Sequence, residues 1–237
     1  MPSMKSIACA PPRARRVFPL ASGGALCNQR AVPTSDANID FLPDLTHEQV
    51  MALPLGRYEG PIHLIHSPAQ LPDALAEWQR ERVLGFDTET RAAFRKGESY
   101  PPALIQLATA HAVWLVQLRA FDTLDGLAAL LGSARHLKAG VGLDYDLRKL
   151  REIYAFKPAG FVDLAKLSDT VRIRANGLRG LAAHVLGVRI AKQAQCTNWA
   201  RPELTEQQLR YAATDAWISR EIFLGLEKLQ AQEPAAP

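Results

Sequence analysis

Between residues 60 and 165, short apolar runs alternate with segments of helical periodicity, and this alternation limits the possible folds more than any other feature of the sequence. Six runs have the length and composition of buried strands, at residues 62–65, 83–88, 103–109, 113–117, 137–141 and 161–162. The third and fourth runs have a short connection, as in a hairpin, whereas helical segments near residues 71–78, 121–132 and 144–153 separate others. The sequence therefore predicts an α/β domain with a mixed central sheet flanked by helices.

The remaining chain divides into a helical region and two ends. Residues 164–229 are predicted to form further helices. Residues 1–45 contain Ala, Pro, Ser, Gly and Arg without apolar periodicity, so we predict a disordered basic tail there. The same Arg-rich, acid-poor composition is found in organellar transit peptides. We therefore predict one folded domain over residues 46–230 and a disordered C-terminus over residues 231–237.

The formal net charge of +4 comes from the tail. Residues 1–35 hold five basic and no acidic residues, so the rest of the chain has 23 basic against 24 acidic side chains. Residues 138–201 nevertheless hold twelve Lys and Arg against five Asp and Glu. This local excess has two interpretations, a solvated face or a surface that offsets the repulsion between phosphates and a cluster of carboxylates.

The length of the apolar runs and the number and spacing of the cysteines indicate the cellular compartment. No apolar run approaches the roughly 18 residues that a membrane-spanning helix needs, so we expect no contact with a membrane. The three cysteines, Cys9, Cys27 and Cys196, have neither the number nor the spacing of a disulfide framework or a zinc site. We therefore expect a cytoplasmic protein.

Two acidic residues, Asp87 and Glu89, stand two positions apart at the end of the second apolar run. The two-residue period of a strand places both carboxylates on one side of it. Such a pair taken alone is more often solvated or part of a cap. At the end of a buried strand, however, two acids repel one another unless a cation lies between them.

Three further candidate residues lie on other elements. Asp146 is in the first turn of the helix that follows the strand at 137–141, near the positive end of that helix. Tyr211 and Asp215 are four positions apart on a late helix, so their side chains share one face. Each feature has an ordinary structural explanation by itself. Their joint occurrence, in this order, favours a shared chemical site.

With these residues in place, the sequence resembles the DEDD superfamily of 3′→5′ exonucleases, which is named for four acids and has a ribonuclease H-like fold. The residues that match its three motifs are, in order, Asp87 and Glu89, Asp146, and Tyr211 with Asp215. A tyrosine four residues before the last acid is typical of the tyrosine subclass. In the histidine subclass a histidine stands five residues before that acid, where this chain has Arg210.

Within the subclass, the chain looks most like the exonuclease domain of the Werner syndrome protein and its small bacterial relatives, over about residues 58–226. The segments that carry this resemblance are 102–107, 138–142, 177–182, 196–199 and 204–205. Ribonuclease D shares the acids but usually carries helical nucleic-acid-binding domains after the nuclease, for which we see no room before Pro237. The resemblance therefore implies that residues 46–230 form a tyrosine-subclass exonuclease domain.

The resemblance implies two divalent cations, Mg²⁺ or Mn²⁺, and carboxylate oxygens are the ligands that such hard cations prefer. Asp87 is expected to bridge both cations. Glu89 and Asp215 would complete the site of the cation that activates water, and Asp146 would hold the second cation directly or through a water. Tyr211 would orient the attacking water, because its reference pKa of about 10 makes it a poor base. The expected product is a nucleoside 5′-monophosphate.

The implied partner is a single strand or a 3′ end of nucleic acid, with DNA favoured over RNA. The backbone of Thr88 is expected to hold the terminal 3′-OH. Arg91, Phe94 and Lys96 lie on a predicted loop at the edge of the site, and a basic loop with an aromatic residue suits a stacked base and its backbone. The other interpretation of this loop is a solvated connection with Phe94 packed inward.

Three other functions are compatible with parts of the pattern. The acids do not discriminate DNA from RNA, so RNA 3′-end trimming or the degradation of short oligoribonucleotides is the leading alternative. An inactive nucleic-acid-binding module is a second, although all five chemical positions are intact. A phosphatase of the haloacid dehalogenase type is disfavoured, because its second acid would be Asp where this chain has Glu89. No residue discriminates between oligomeric states.

Overall fold

The computed structural model describes residues 41–175, 177–191 and 196–232, which contain six strands and seven α-helices. The strands are β1 Ile62–Ile65, β2 Val83–Thr90, β3 Pro102–Ala108, β4 Val113–Gln117, β5 Leu137–Gly140 and β6 Phe161–Asp163. The helices are α1 His47–Ala52, α2 Leu71–Trp78, α3 Asp125–Leu131, α4 Leu143–Ile153, α5 Leu164–Asp169, α6 Leu178–Leu186 and α7 Glu206–Gln232. Each predicted strand is present.

The six strands form one mixed sheet in the order β1-β4-β3-β2-β5-β6. Strand β3 runs antiparallel to both of its neighbours, β2 and β4, and the short β3–β4 connection is the predicted hairpin. Strands β5 and β6 run parallel to β2, and β1 runs parallel to β4. Helix α4 connects the parallel strands β5 and β6. The predicted mixed sheet flanked by helices is therefore confirmed.

The two faces of the sheet have separate cores because side chains alternate along each strand. On β2, Leu84 and Phe86 pack with residues of α2, α3 and α4. Val83 points to the other face, where it packs with residues of α5, α6 and α7. The same alternation carries Asp87 and Glu89 onto the face that α7 covers.

Helix α7 can lie directly against β2 because residue 85 is a glycine. A Cβ at Gly85 would overlap the carbonyl oxygen of Ala216 and would lie 2.9 Å from the backbone nitrogen of Arg220. Backbone atoms of a helix cannot move aside as a flexible side chain can. The absent side chain of Gly85 therefore brings the neighbouring residue Asp215 close to the end of β2.

A buried lysine holds the start of β5. The Nζ of Lys138 donates hydrogen bonds to four backbone carbonyls at 2.6 to 3.1 Å, which belong to the end of α3 and to the segments that precede β5 and β6. Burial lowers the pKa of Lys138 to about 8.

A left-handed turn joins β5 to α4. The chain turns through Gly142, whose φ of 68° is in the region that favours glycine. Helix α4 begins directly after this turn and carries Asp146 in its first turn.

The structure differs from the sequence-based boundaries at both ends of the domain. The predicted tail over residues 1–40 and the end over residues 233–237 lie outside the described residues. Residues 41–45, which the sequence places in the tail, contact the body: the backbone N–H of Leu42 donates to the carbonyl of Arg172 at 2.8 Å. At the other end, α7 continues through residues 231 and 232. No helix in the described ranges is apolar over a length that could span a bilayer.

The start of α3 also differs from the prediction of a helix from about residue 121. Residues 118–120 form a 3₁₀ turn, and the backbone of Phe121 is extended. The hydroxyl of Tyr154 donates to the carbonyls of Leu118 and Phe121. Because this tertiary contact holds the carbonyls outward, the α-helix begins only at Asp125.

We expect Gly85→Ala to lower the free energy of unfolding by roughly 1–3 kcal/mol, because the new methyl group displaces α7 from the sheet. Urea unfolding measures this change. Gly177→Ala is the control: nothing lies within 4 Å of its added Cβ, so it should cost less than about 1 kcal/mol. Equal stability of Gly85→Ala and the parent protein would contradict the close approach.

Candidate active site

Three carboxylates from two elements meet at the end of β2. Asp87 and Glu89 extend from β2 and Asp215 extends from α7, and one carboxylate oxygen from each lies within 4.8 Å of the others. Glu89 and Asp215 are only 8% and 6% exposed. The backbone N–H of Thr88 donates to Oδ1 of Asp87 at 2.8 Å. The arrangement is a compact, largely buried set of oxygen ligands.

Burial raises the pKa of all three carboxyls, and the charges of neighbouring acids raise the pKa of Asp87 and Glu89 further. Burial, with Asp87 and Asp215 nearby, raises the pKa of Glu89 to about 10. Burial and the charge of Asp215 hold the pKa of Asp87 well above its usual range, although the Thr88 N–H opposes this shift. Burial raises the pKa of Asp215 to about 7 against the lowering effects of Tyr211 and Arg179. Three ionised carboxylates therefore need a cation between them, and oxygen ligands suit a divalent cation.

Asp146 and Tyr211 border this cluster. Asp146 is not among the three oxygens that meet within 4.8 Å, but its charge raises the pKa of both Asp87 and Glu89. Burial raises its own pKa. The hydroxyl of Tyr211 lies beside Asp215 and acts on that carboxyl as a hydrogen-bond donor. Burial and the surrounding acids raise the pKa of Tyr211, so its hydroxyl keeps its proton at neutral pH.

The carboxylates open into a cavity of about 420 Å³. Arg179 and the start of α6, at Gly177, line the same cavity. Gly177 precedes α6 and has no side chain to cap the first backbone N–H groups of that helix, and a helix N-terminus favours anions. Arg179 forms no ion pair among the described residues, and its charge lowers the pKa of Asp215. The cavity therefore combines acids that suit cations with groups that suit anions.

A second cavity of about 430 Å³ adjoins the first. Tyr211 and Asp215 line both cavities, so they form the partition between them. Arg57 and Arg210 lie on the far side, and both pair with Glu59 at the surface.

The predicted substrate contacts lie on a loop outside the cavity. Phe94 is 83% exposed, which excludes the inward-packed alternative. The carboxylate of Glu98 accepts hydrogen bonds from the backbone N–H groups of Phe94 and Arg95, so the loop has a defined turn. The guanidinium of Arg91 lies 4.8 Å from the ring centroid of Tyr100. In the described residues, neither these side chains nor Lys96 line the cavity, whereas Thr88 does.

The sequence-based site set omitted two residues that the structure places near the carboxylates. In the sequence, Arg179 was one of several basic residues in the same region. Gly177, two residues earlier, could have indicated the start of a helix, and a helix start suits an anion. Gln106 is the register partner of Asp87 on β3. A polar residue inside an apolar strand was the available signal.

A sequence profile of the 3′-5′ exonuclease family matches residues 62–230, a span that contains every carboxylate of the cluster. The chain belongs to the 3′-5′ exonuclease family. The predicted DEDD superfamily is therefore confirmed. This family and the cluster of three acids together indicate the use of divalent metal ions.

Known members of the exonuclease family are similar to part of this chain. Mouse bifunctional 3′-5′ exonuclease/ATP-dependent helicase WRN is 34% identical over 153 residues, which are 62% of this chain and 11% of the relative. Ribonuclease D of Haemophilus influenzae is 30% identical over 159 residues, 66% of this chain and 39% of the relative. The chain thus spans well under half of the length of these relatives.

Solved exonuclease structures share the fold. The Aedes aegypti Nibbler EXO domain has a TM-score of 0.64 and 25% identity, with 72% of this chain and 88% of that domain covered. Escherichia coli RNase D has a TM-score of 0.62 and 21% identity, with 70% of this chain and 45% of that chain covered. The predicted ribonuclease H-like fold is therefore confirmed.

The raised carboxyl pKa values predict that the metal-free protein loses stability as the pH rises. In the folded state these groups keep protons that the unfolded chain, with carboxyl pKa values near 4, releases. The stability of the metal-free fold is greatest at a pH below the carboxyl pKa values of the unfolded chain. It falls as the pH rises toward the folded-state pKa values, which are about 7 for Asp215 and about 10 for Glu89. In EDTA we therefore expect unfolding at a lower temperature at about pH 8 than at about pH 6, as measured by differential scanning calorimetry.

Added Mn²⁺ should reverse this loss of stability. At a concentration of about 100 times its Kd, it should stabilise the fold by about 2.7 kcal/mol. The control is Glu89→Gln, which removes a carboxyl that must take up a proton on folding. It should melt higher than the parent protein in EDTA at the upper pH and gain less from Mn²⁺. An unfolding temperature that responds neither to pH nor to Mn²⁺ would contradict the repulsion between the carboxylates.

Proposed function

We propose that this chain is a metal-dependent 3′→5′ exonuclease that removes nucleoside 5′-monophosphates from the end of a nucleic-acid strand. The observation that carries the proposal is the cluster of Asp87, Glu89 and Asp215 beside Tyr211. Family membership supports the same activity. In this proposal residues 46–230 are the nuclease domain.

The carboxylates would hold the cations. Asp87, Glu89 and Asp215 converge closely enough to share one divalent ion, and Asp146 at the border would hold a second one together with Asp87. We propose Mg²⁺ or Mn²⁺, since both accept all-oxygen sites. When bound, the two cations activate water and stabilise the departing 3′ oxygen.

Tyr211 would orient the attacking water. Its raised pKa leaves the hydroxyl protonated, so it serves as a hydrogen-bond donor rather than as a base. This hydroxyl lies beside Asp215, for which it acts as a hydrogen-bond donor. Tyr211 is therefore in a position to contact a water at the carboxylates.

Arg179 and the start of α6 would bind the phosphate. Both line the same cavity as the acids and offer it positive charge. A phosphodiester in this cavity would contact the cations and Arg179 together. Thr88 lines the same cavity next to Asp87, where its backbone would hold the terminal 3′-OH.

The loop after β2 would contact the strand outside the cavity. Phe94 presents an exposed ring for base stacking, and Arg91 and Lys96 supply charge for phosphates. The hydrogen bonds from the loop backbone to Glu98 hold this shape in advance, which reduces the entropic cost of binding.

We propose DNA as the favoured strand, in view of the 34% identity to WRN. RNA is the second candidate, because a relative named ribonuclease D is 30% identical and a solved structure with the same fold is described as an exoribonuclease. A binding module without activity is disfavoured by the intact acids and tyrosine.

Asp87→Asn should lower the rate of hydrolysis by roughly 10³-fold or more, because it removes the ligand shared by both cations. The assay uses a 5′-labelled DNA strand and a matched RNA strand, each with Mg²⁺, Mn²⁺ or EDTA. We expect a ladder that shortens from the 3′ end only with metal, and faster on DNA. A mutant as active as the parent would contradict the proposal.

Tyr211→Phe should lower kcat by roughly 10²-fold with little change in KM, because the hydroxyl acts on the attacking water and not on the strand. Steady-state kinetics on the preferred strand separates the two constants. Arg210→Lys, one residue earlier and directed to Glu59 and Glu206, is the control and should keep the parental kcat. A change confined to KM would show that Tyr211 binds the strand instead.

A further inference from the structure

Gln106 is a fully buried polar residue on β3. It is 0% exposed, and among the described residues neither its amide nitrogen nor its amide oxygen has a partner. Its nearest neighbours on the same face of β3, Leu104 and Ala108, are fully buried and apolar. An unpaired amide in such surroundings opposes folding, so a leucine would be the more stable choice. This cost in folding free energy indicates that Gln106 has a functional role.

The side chain of Gln106 lies on the same face of the sheet as the acids. Its β3 neighbours two positions away, Leu104 and Ala108, pack in the core beneath α7. Period two places Gln106 on that face with them. In the β2–β3 register, the residue directly opposite is Asp87. Directly opposed side chains have Cβ atoms about 4.5–5.5 Å apart, so the side chains of Gln106 and Asp87 leave the sheet next to each other.

Asp87 has unused capacity to accept hydrogen bonds. In the part of the chain that the structure describes, its carboxylate accepts one hydrogen bond, from the backbone N–H of Thr88 to Oδ1. An ionised carboxylate accepts several hydrogen bonds, and carboxylates that hold metal ions are usually oriented by donors behind them. Gln106 is a neighbouring donor whose amide has no partner among the described residues.

We infer that Gln106 is a positioning residue for Asp87. This inference rests on the proposed function. When Asp87 is ionised and holds a cation, the Nε2 of Gln106 donates to its carboxylate, directly or through one buried water. The hydrogen bond fixes the carboxylate so that it faces Glu89 and Asp215. Gln106 thus favours the metal-loaded state at the expense of the stability of the metal-free fold.

Gln117 on β4 provides a matched control. It is also a buried glutamine on the face that α7 covers, in register with Leu104. Its Nε2 donates to the carbonyls of Arg201 and Pro202, at 3.4 and 3.2 Å. Gln117 therefore has a structural role, and the same substitution at the two glutamines should have opposite consequences.

The experiment compares Gln106→Leu, Gln117→Leu, Asp87→Asn and the parent protein. Two readouts are taken for each: the unfolding temperature in EDTA and across a Mn²⁺ titration, and the rate of DNA hydrolysis across the same titration. For Gln106→Leu we expect an unfolding temperature in EDTA equal to or above that of the parent. The Mn²⁺ concentration at half effect should rise about 10- to 100-fold in both readouts. For Gln117→Leu we expect a lower unfolding temperature and an unchanged Mn²⁺ midpoint.

Two outcomes would overturn the inference. A Gln106→Leu protein with the parental Mn²⁺ midpoint in both readouts would show that the amide does not act on Asp87. A lower unfolding temperature in EDTA with an unchanged midpoint would give Gln106 the same structural role as Gln117. A parent protein that neither binds Mn²⁺ nor degrades DNA or RNA would instead refute the proposed function, and the inference with it.

Discussion

Repulsion between three buried carboxylates is the constraint on which the rest of this structure depends. Asp87, Glu89 and Asp215 come within 4.8 Å of one another in a largely buried position. Without a cation, part of their charge must be neutralised by protons, and the raised pKa values of these groups express that cost. The close contact of α7 with the sheet at Gly85 supplies the packing that holds them together. The fold thus tolerates local repulsion that a divalent ion relieves.

The cavity combines two opposite electrostatic preferences over a short distance. The acids, Arg179 and the start of α6 all line it. A phosphate alone would be repelled by the acids, and a cation alone would leave Arg179 without a counter-charge. Metal and phosphate together satisfy both the acidic and the basic groups. Because Tyr211 keeps its proton beside Asp215, the site also has a fixed donor at the position where water would be oriented.

The sequence was sufficient for the features that follow from local periodicity. The position of Asp87 and Glu89 on one side of β2 follows from the alternation of residues in a strand, and that of Tyr211 and Asp215 from helical spacing. Asp87 on β2 and Asp215 on α7 are more than 120 residues apart in the chain, and tertiary packing brings these two elements together. Only the family resemblance predicted this contact. The polar position of Gln106 inside an apolar strand was visible in the sequence. The missing partners of its amide and the exposure of Phe94 depend on which neighbours surround them, so no local pattern could reveal these two features.

The central claim is that the three carboxylates share a divalent cation, and a crystal structure with bound Mn²⁺ tests it most directly. Anomalous scattering locates the ion independently of any assumption about its ligands. We expect a peak coordinated by oxygens of Asp87, Glu89 and Asp215, with a second peak beside Asp146 when a nucleoside 5′-monophosphate is present. Density with no peak between these carboxylates, or with the three side chains turned away from one another around an empty site, would contradict the account.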